Sequence, residues 1–290
     1  MKVGFITQLL WPRYGEFWRN LAEMAEYEAV LPTAEGTLNQ LGRSELPTVG
    51  SVAFRLATAQ ALALAEEADL LVVPELTLGE HHPRGAGEDP WIAAFGDQLA
   101  IAFPELPPLV SAPASLGAPA EPAVLKFLQD GLFDNTLVKR VWDRVRAPLY
   151  AERVVRGDPF QKTANAPLFT GVLAQPWLLN EALVAAAKER YGPVVSPLSL
   201  SPHMLRDEGA RAAERPLLPT DLEVLGAGRL FARRQAVGNI VFIADPQSSA
   251  DAWLAARLEK LAGPRFTVAE LPQMFAPEHA FNVLYNAPEA

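Results

Sequence analysis

His81 and His82 stand side by side, with Glu80 immediately before them, Glu75 upstream and Asp89 downstream. Imidazole and carboxylate groups gathered in one stretch can hold a divalent cation or move protons near neutral pH. Adjacent histidines in a loop carry no fixed ligand geometry, and the H-E-x-x-H spacing that sets two imidazoles on one helix face is absent. The stretch 75–89 is therefore read two ways. It is a metal or acid/base site with Glu80, His81 and His82 as the metal candidates, or it is a solvated polar loop.

Three further groups have useful chemistry. Gln8, Trp11 and Arg13 come after the first apolar run. Arg13 can pair with a carboxylate or phosphate, and Trp11 can stack on a planar ligand. The plainer reading is an aromatic packed on a helix beside an exposed arginine. Gln175 and Trp177 form the matching turn in the second half of the chain, open to the same pair of readings. Asp245, Gln247 and Ser248 end one run and begin a helix. The free N–H groups there favour an anion, unless Ser248 or Asp245 simply caps the helix.

Other signatures are missing. No G-x-x-x-x-G-K-[ST] phosphate loop and no G-x-S-x-G nucleophile elbow occurs. Gly226 and Gly228 lie within a helical pattern without the third glycine of a dinucleotide fingerprint. No catalytic residue is designated by motif.

Composition narrows the classes. The 290 residues suit two domains, and half are hydrophobic with a fifth charged, a folding composition. The net charge of −9 repels phosphate backbones and anionic lipid, so neither nucleic acid nor membrane is expected as a partner. With no cysteine, the chain offers no disulfide, thiolate nucleophile or cysteine-held metal centre. The opening residues read as a strand, not as a leader, and a cytoplasmic location is expected.

The elements that must position these residues come in two similar series. In the first, apolar runs at 3–7, 28–31, 69–74 (DLLVVP) and 107–111 read as buried parallel strands, separated by helical patterns near 15–26, 50–67 and 91–102. Thr33 is placed to cap a short helix between the second strand and the long helix. In the second series the runs are 168–174, 193–196, 239–245 (NIVFIAD) and 266–270, with helical patterns at 178–190, 221–235 and 248–262. The expected fold is α/β, with two Rossmann-like open parallel-sheet domains and a helical connector. The boundaries fall at 1–118, 119–166 and 167–290, the last ending in an extended tail. Ligands of such sheets sit beyond the carboxyl ends of the strands, which singles out the turns that carry Gln8, Glu75, Gln175 and Asp245.

The opening KVGFITQLL and the later GEFWRNLAEMAEYEAVLPTAEGTLNQ resemble the N-terminal half of the 2-hydroxyacyl-CoA dehydratase and benzoyl-CoA reductase-like family, including its dehydratase-activase-related domain. Glu45-Leu46-Pro47 stands where that family has Cys-Leu-Pro, and Asp89-Pro90-Trp91 where it has Cys-Pro-Lys. The strand 239–245 with Ser248-Ser249 resembles the one that leads into a further cysteine loop. The resemblance implies a fold that normally holds a [4Fe–4S] cluster. Glu45 and Asp89 are then degenerate cluster positions, since carboxylates do not replace thiolates around such a cluster. No cofactor is expected, and an Fe–S cluster is excluded for this chain. The resemblance thus implies a cluster-free relative that binds a small molecule or a partner protein in or near the interdomain cleft without redox chemistry. A CoA-like ligand is implied by the resemblance alone, as is a homodimer or a pairing with a cluster-bearing subunit. The alternatives are an enzyme that uses the 75–89 loop and a purely structural subunit.

Overall fold

The computed structural model describes residues 1–41, 43, 52–76, 94–114, 116–131, 134–151, 159–161, 166–215, 217–246 and 248–271. The described residues up to 151 form one compact unit and those from 159 form another.

In the first unit the chain runs β1 (Lys2–Phe5), α1 (Trp11–Met24), β2 (Glu28–Val30), α2 (Ala34–Leu41), α3 (Val52–Leu64) and β3 (Leu70–Glu75). It continues through α4 (Phe95–Ala102), β4 (Leu109–Pro113), α5 (Glu121–Gly131) and α6 (Asn135–Leu149). The sheet order is β2-β1-β3-β4 and every pairing is parallel. The inner strands β1 and β3 are buried on both faces, which is why they read as unbroken apolar runs without alternation.

Local chemistry sets several helix ends. Thr33 Oγ1 accepts from the Gly36 N–H at 3.0 Å and so caps α2. Asp134 caps α6, its Oδ1 accepting from the Thr136 N–H at 2.8 Å. The helix α1 begins four positions before the residue at which periodicity starts it, because its N-cap, Leu10, has no capping side chain to mark the spot. The helices α5 and α6, expected as a connector, lie in the first unit. Phe127 of α5 packs edge-on against Trp18 of α1 at 5.8 Å and against Tyr27 at 5.8 Å. Each buried aromatic of this kind stabilises the fold by about 2–3 kcal/mol.

The second unit repeats the scheme with β5 (Phe169–Leu173), α7 (Glu181–Tyr191), β6 (Val194–Val195), α8 (Pro202–Ala210) and α9 (Pro219–Arg233). It closes with β7 (Val237–Ala244), α10 (Ser249–Ala262) and β8 (Phe266–Glu270). The order is β6-β5-β7-β8, again all parallel. The protein is therefore α/β, with two Rossmann-like open parallel sheets flanked by helices.

The helices α8 and α9 touch backbone to backbone. A Cβ on Gly209 would sit 1.9 Å from the Leu222 carbonyl oxygen, and one on Gly226 would sit 1.8 Å from that of Leu205. Only glycine fits at either position. Gly226, unexplained by a nucleotide motif, thus has a packing role. The pair presents the N-terminal turn of α9 to the end of β5, where Gln175 meets Asp221.

Candidate functional site

In each sheet the chain adds one strand outward and then crosses to the other side, so the order reverses between β1 and β3 and between β5 and β7. The carboxyl ends of those inner strands flank the crevice where open parallel sheets bind ligands. The two crevices are built differently.

At the first, the protein closes on itself. Gln60 of α3 accepts the Thr7 N–H through Oε1 at 2.9 Å and donates from Nε2 to Thr7 Oγ1 at 3.0 Å. Leu9 and Leu10 come next with φ of 56° and 73°, a left-handed pair held by their burial in the core. The Trp11 indole folds back over Gly15, where an added Cβ would meet the ring at 2.1 Å. It also lies 5.7 Å from the rings of Phe5 and Tyr14. Trp11 therefore packs on its own helix. Gln8 is buried and Arg13 half-buried, and both already have partners. Glu75 is the last residue of β3.

At the second crevice the structure gathers five polar side chains from four elements. Gln175 lies just past β5 and is 0 % exposed. Its Nε2 donates to Oδ1 of Asp221, in the first turn of α9, at 2.9 Å. The Gln175 amide also hydrogen-bonds Asp251, in the first turn of α10, which is 1 % exposed. Asp251 Oδ2 accepts the Asp245 N–H at the end of β7 at 2.8 Å. Asp251 Oδ1 accepts the Ser248 hydroxyl at 3.2 Å, while Ser248 Oγ accepts the Asp251 N–H at 3.3 Å. Ser248 is thus the N-cap of α10, and Asp251 completes a reciprocal box that reaches back to the strand.

Burial governs the protons here. It pushes the Asp221 carboxyl up to about 6, against the Gln175 amide and the Arg215 guanidinium, which both lower it. It pushes Asp251 up to about 7. The Asp245 N–H, the Gln175 amide and the Ser248 hydroxyl favour the charged form of Asp251, and the negative charge of Asp245 disfavours it.

Among the described residues, Gln175 Oε1 and Thr220 Oγ1 are buried here without a hydrogen-bond partner. Thr220 directly precedes Asp221 and is 1 % exposed. A polar atom left unpaired at such depth costs about 1–3 kcal/mol, so a group that pairs with it, by donating to the Gln175 oxygen or by either exchange with the Thr220 hydroxyl, is strongly favoured. The surface cavities of the first unit differ in this respect. One lies between α4 and β4, and another beside Glu75 is lined by Pro74, Asp97 and Ser111. Among the described residues, none that lines either cavity carries a buried polar atom without a partner.

Of the residues singled out by sequence, Gln175, Asp245 and Ser248 come together here, and Trp177 is buried in the turn after β5. Glu45, Glu80, His81, His82, Asp89 and Gln247 lie outside the described residues. Among the described residues no group of three or more His, Asp or Glu side chains is placed to hold a metal ion. Asp221 and Asp251 are the members that sequence reasoning missed. The S-x-x-D spacing of Ser248 and Asp251 was the available signal for one of them.

The arrangement also answers whether the start of α10 invites phosphate. The Asp251 N–H of its first turn is already taken by the Ser248 side chain, and the Asp251 carboxyl lies in that same turn with Asp245 just before it. A phosphate there would meet like charge.

Comparison with protein-family models, with curated proteins and with solved structures finds no match to this chain.

Proposed function

We propose that this chain binds a small polar molecule at the carboxyl ends of β5 and β7, without iron–sulfur redox chemistry, on a cluster-free version of the fold that the dehydratase resemblance implies. One observation carries the reading. The Gln175 side chain is wholly buried, bonded through its nitrogen between two carboxyl groups, and its carbonyl oxygen is left as an acceptor without a donor. A ligand supplies that donor. A core built only for stability would pair this oxygen or replace the amide with an apolar side chain.

A second reading rests on a separate observation. Burial pushes the Asp251 carboxyl up to about 7, a range in which a carboxyl group can both give and take a proton, and its two oxygens are held by the Asp245 N–H and the Ser248 hydroxyl. The bound molecule would then be a substrate for proton transfer, with Asp251 as the exchanging group and Asp221 as its neighbour across Gln175.

The test is a screen of small polar fragments against the full chain by ligand-observed NMR, run in parallel on Gln175→Leu. Leucine keeps the volume and removes the acceptor. Fragments that bind the wild-type chain and are lost from the variant support the site. A screen whose hits are the same for both proteins removes it.

A further inference from the structure

The chemical class of that ligand is set by the surroundings of the unpartnered oxygen, and the inference rests on the binding reading above. We infer that the β5–β7 crevice selects its ligand through a positively charged N–H donor, a primary amine or an amidine-like group, and rejects carboxylates and phosphates.

Three aspartates stand at the ends of the elements that meet at Gln175. Asp221 comes from α9, Asp245 from the end of β7 and Asp251 from α10. Arg215, ahead of α9, acts on Asp221, and the interactions that set the Asp251 proton include no cation. Arg215 is thus the one cation among the interactions that set the Asp221 and Asp251 protons. Gln175 commits its N–H donors to the carboxylates, which leaves its oxygen as the group it can offer. Thr220 adds a second buried oxygen without a partner.

An ammonium group satisfies this set in one step. It brings three N–H donors in a compact cation, enough for the Gln175 oxygen and for one or two carboxylate oxygens. The proton that burial favours on Asp251, pushed up to about 7, neutralises one carboxylate of the cluster but leaves the Gln175 oxygen unpaired. An arriving ammonium displaces that proton, and the carboxylate it leaves behind pairs with the ligand. A carboxylate or phosphate ligand offers acceptors to acceptors and gains nothing from the amide oxygen.

Isothermal titration calorimetry on the full chain tests the inference with four probes: ethanolamine, 1,4-diaminobutane, propionate and inorganic phosphate. At least one amine is expected to bind, with affinity falling about tenfold or more in Gln175→Leu and in Asp221→Asn. Asparagine at 221 keeps an acceptor for the Gln175 amide, so the variant retains that bond. Amine affinity is also expected to rise from about pH 5 to about pH 8 as the carboxyl groups lose their protons, a measurement that needs no variant. Propionate or phosphate binding that is lost in Gln175→Leu overturns the cationic class and leaves the site standing. Amine binding that is unchanged in both variants, or no binding by any probe, overturns the inference. Fragment hits that depend on Gln175 would then still support the site itself.

Discussion

Gln60 and Thr7 exchange two hydrogen bonds, at 2.9 and 3.0 Å, across the end of the first strand. A side chain from α3 thereby does what the next residue of a strand partner would do. It satisfies the backbone N–H at the point where β1 leaves the sheet. Gln60 and Thr7 are both fully buried, so neither has water as an alternative. Gln60→Leu preserves volume but leaves the Thr7 N–H and hydroxyl unpaired. The expected cost is about 2–4 kcal/mol, read as a lower denaturation midpoint, together with faster hydrogen exchange at the Thr7 amide.

Gly209 and Gly226 make a contact that a single methyl group breaks. Either Gly209→Ala or Gly226→Ala forces α8 and α9 apart, since the added carbon would overlap a carbonyl oxygen of the opposite helix. The expected loss is at least ~2 kcal/mol, although alanine has the higher helix propensity at both sites. Thermal denaturation of each variant beside Gly238→Ala, which adds a methyl at the start of β7 against the Leu168 side chain, separates backbone contact from side-chain crowding.

Stability is expected to depend on pH through the buried acids. The folded-state value of Asp221 lies at about 6, above its ordinary 3.8, so the folded chain holds a proton that the unfolded chain gives up. Its stabilising contribution is full below about pH 4 and is lost as pH rises through about 6; that of Asp251 is lost through about 7. The groups that act on Asp221 in this window are Gln175 and Arg215, which both favour its charged form. Asp221→Asn cannot ionise, so its stability relative to wild type should rise between about pH 4 and pH 6 by on the order of 1–3 kcal/mol and then level off. Urea titrations at several pH values measure this difference, and a difference that is flat with pH contradicts the role given to burial.

Ser248 both accepts from the Asp251 N–H and donates to its carboxylate. Ser248→Ala should destabilise the chain by about 1 kcal/mol through loss of the cap. It should also raise the Asp251 titration point further, because a bond that favours the charged form is gone. The shift is readable by NMR titration of the Asp251 carboxyl carbon.

The strands are legible in the sequence because parallel sheets bury both faces. The run DLLVVP at 69–74 could belong to little else, and β3 spans Leu70–Glu75. Even the two-residue β6 is marked by Pro193 and Ser196 on either side of its valines. Helix starts without a polar cap are less legible, as α1 and its Leu10 show. Half of the crevice can be found by rule, since Gln175 and Asp245 come directly after inner strands. Asp221 and Asp251 cannot, because an aspartate in a first helical turn is ordinary on an exposed helix. Burial makes them unusual, and burial depends on which helix end meets which strand end. The Trp11 and Trp177 turns look alike in sequence, yet Trp11 folds onto Gly15, a contact set by side-chain direction and not by spacing.

The parallel pairing sets the order in which a growing chain can assemble. Val3 pairs with Leu70, so the first strand must wait roughly 3–13 s at ordinary synthesis rates before its inner neighbour exists. During that interval β2 is its available companion, through the Val3–Ala29 pairing. Once β4 is complete, at Pro113, all four strands of the first sheet have been made while β5 has yet to be translated. Synthesis thus gives the first sheet a head start over the second, and mispairing between two sheets of the same design is limited by timing.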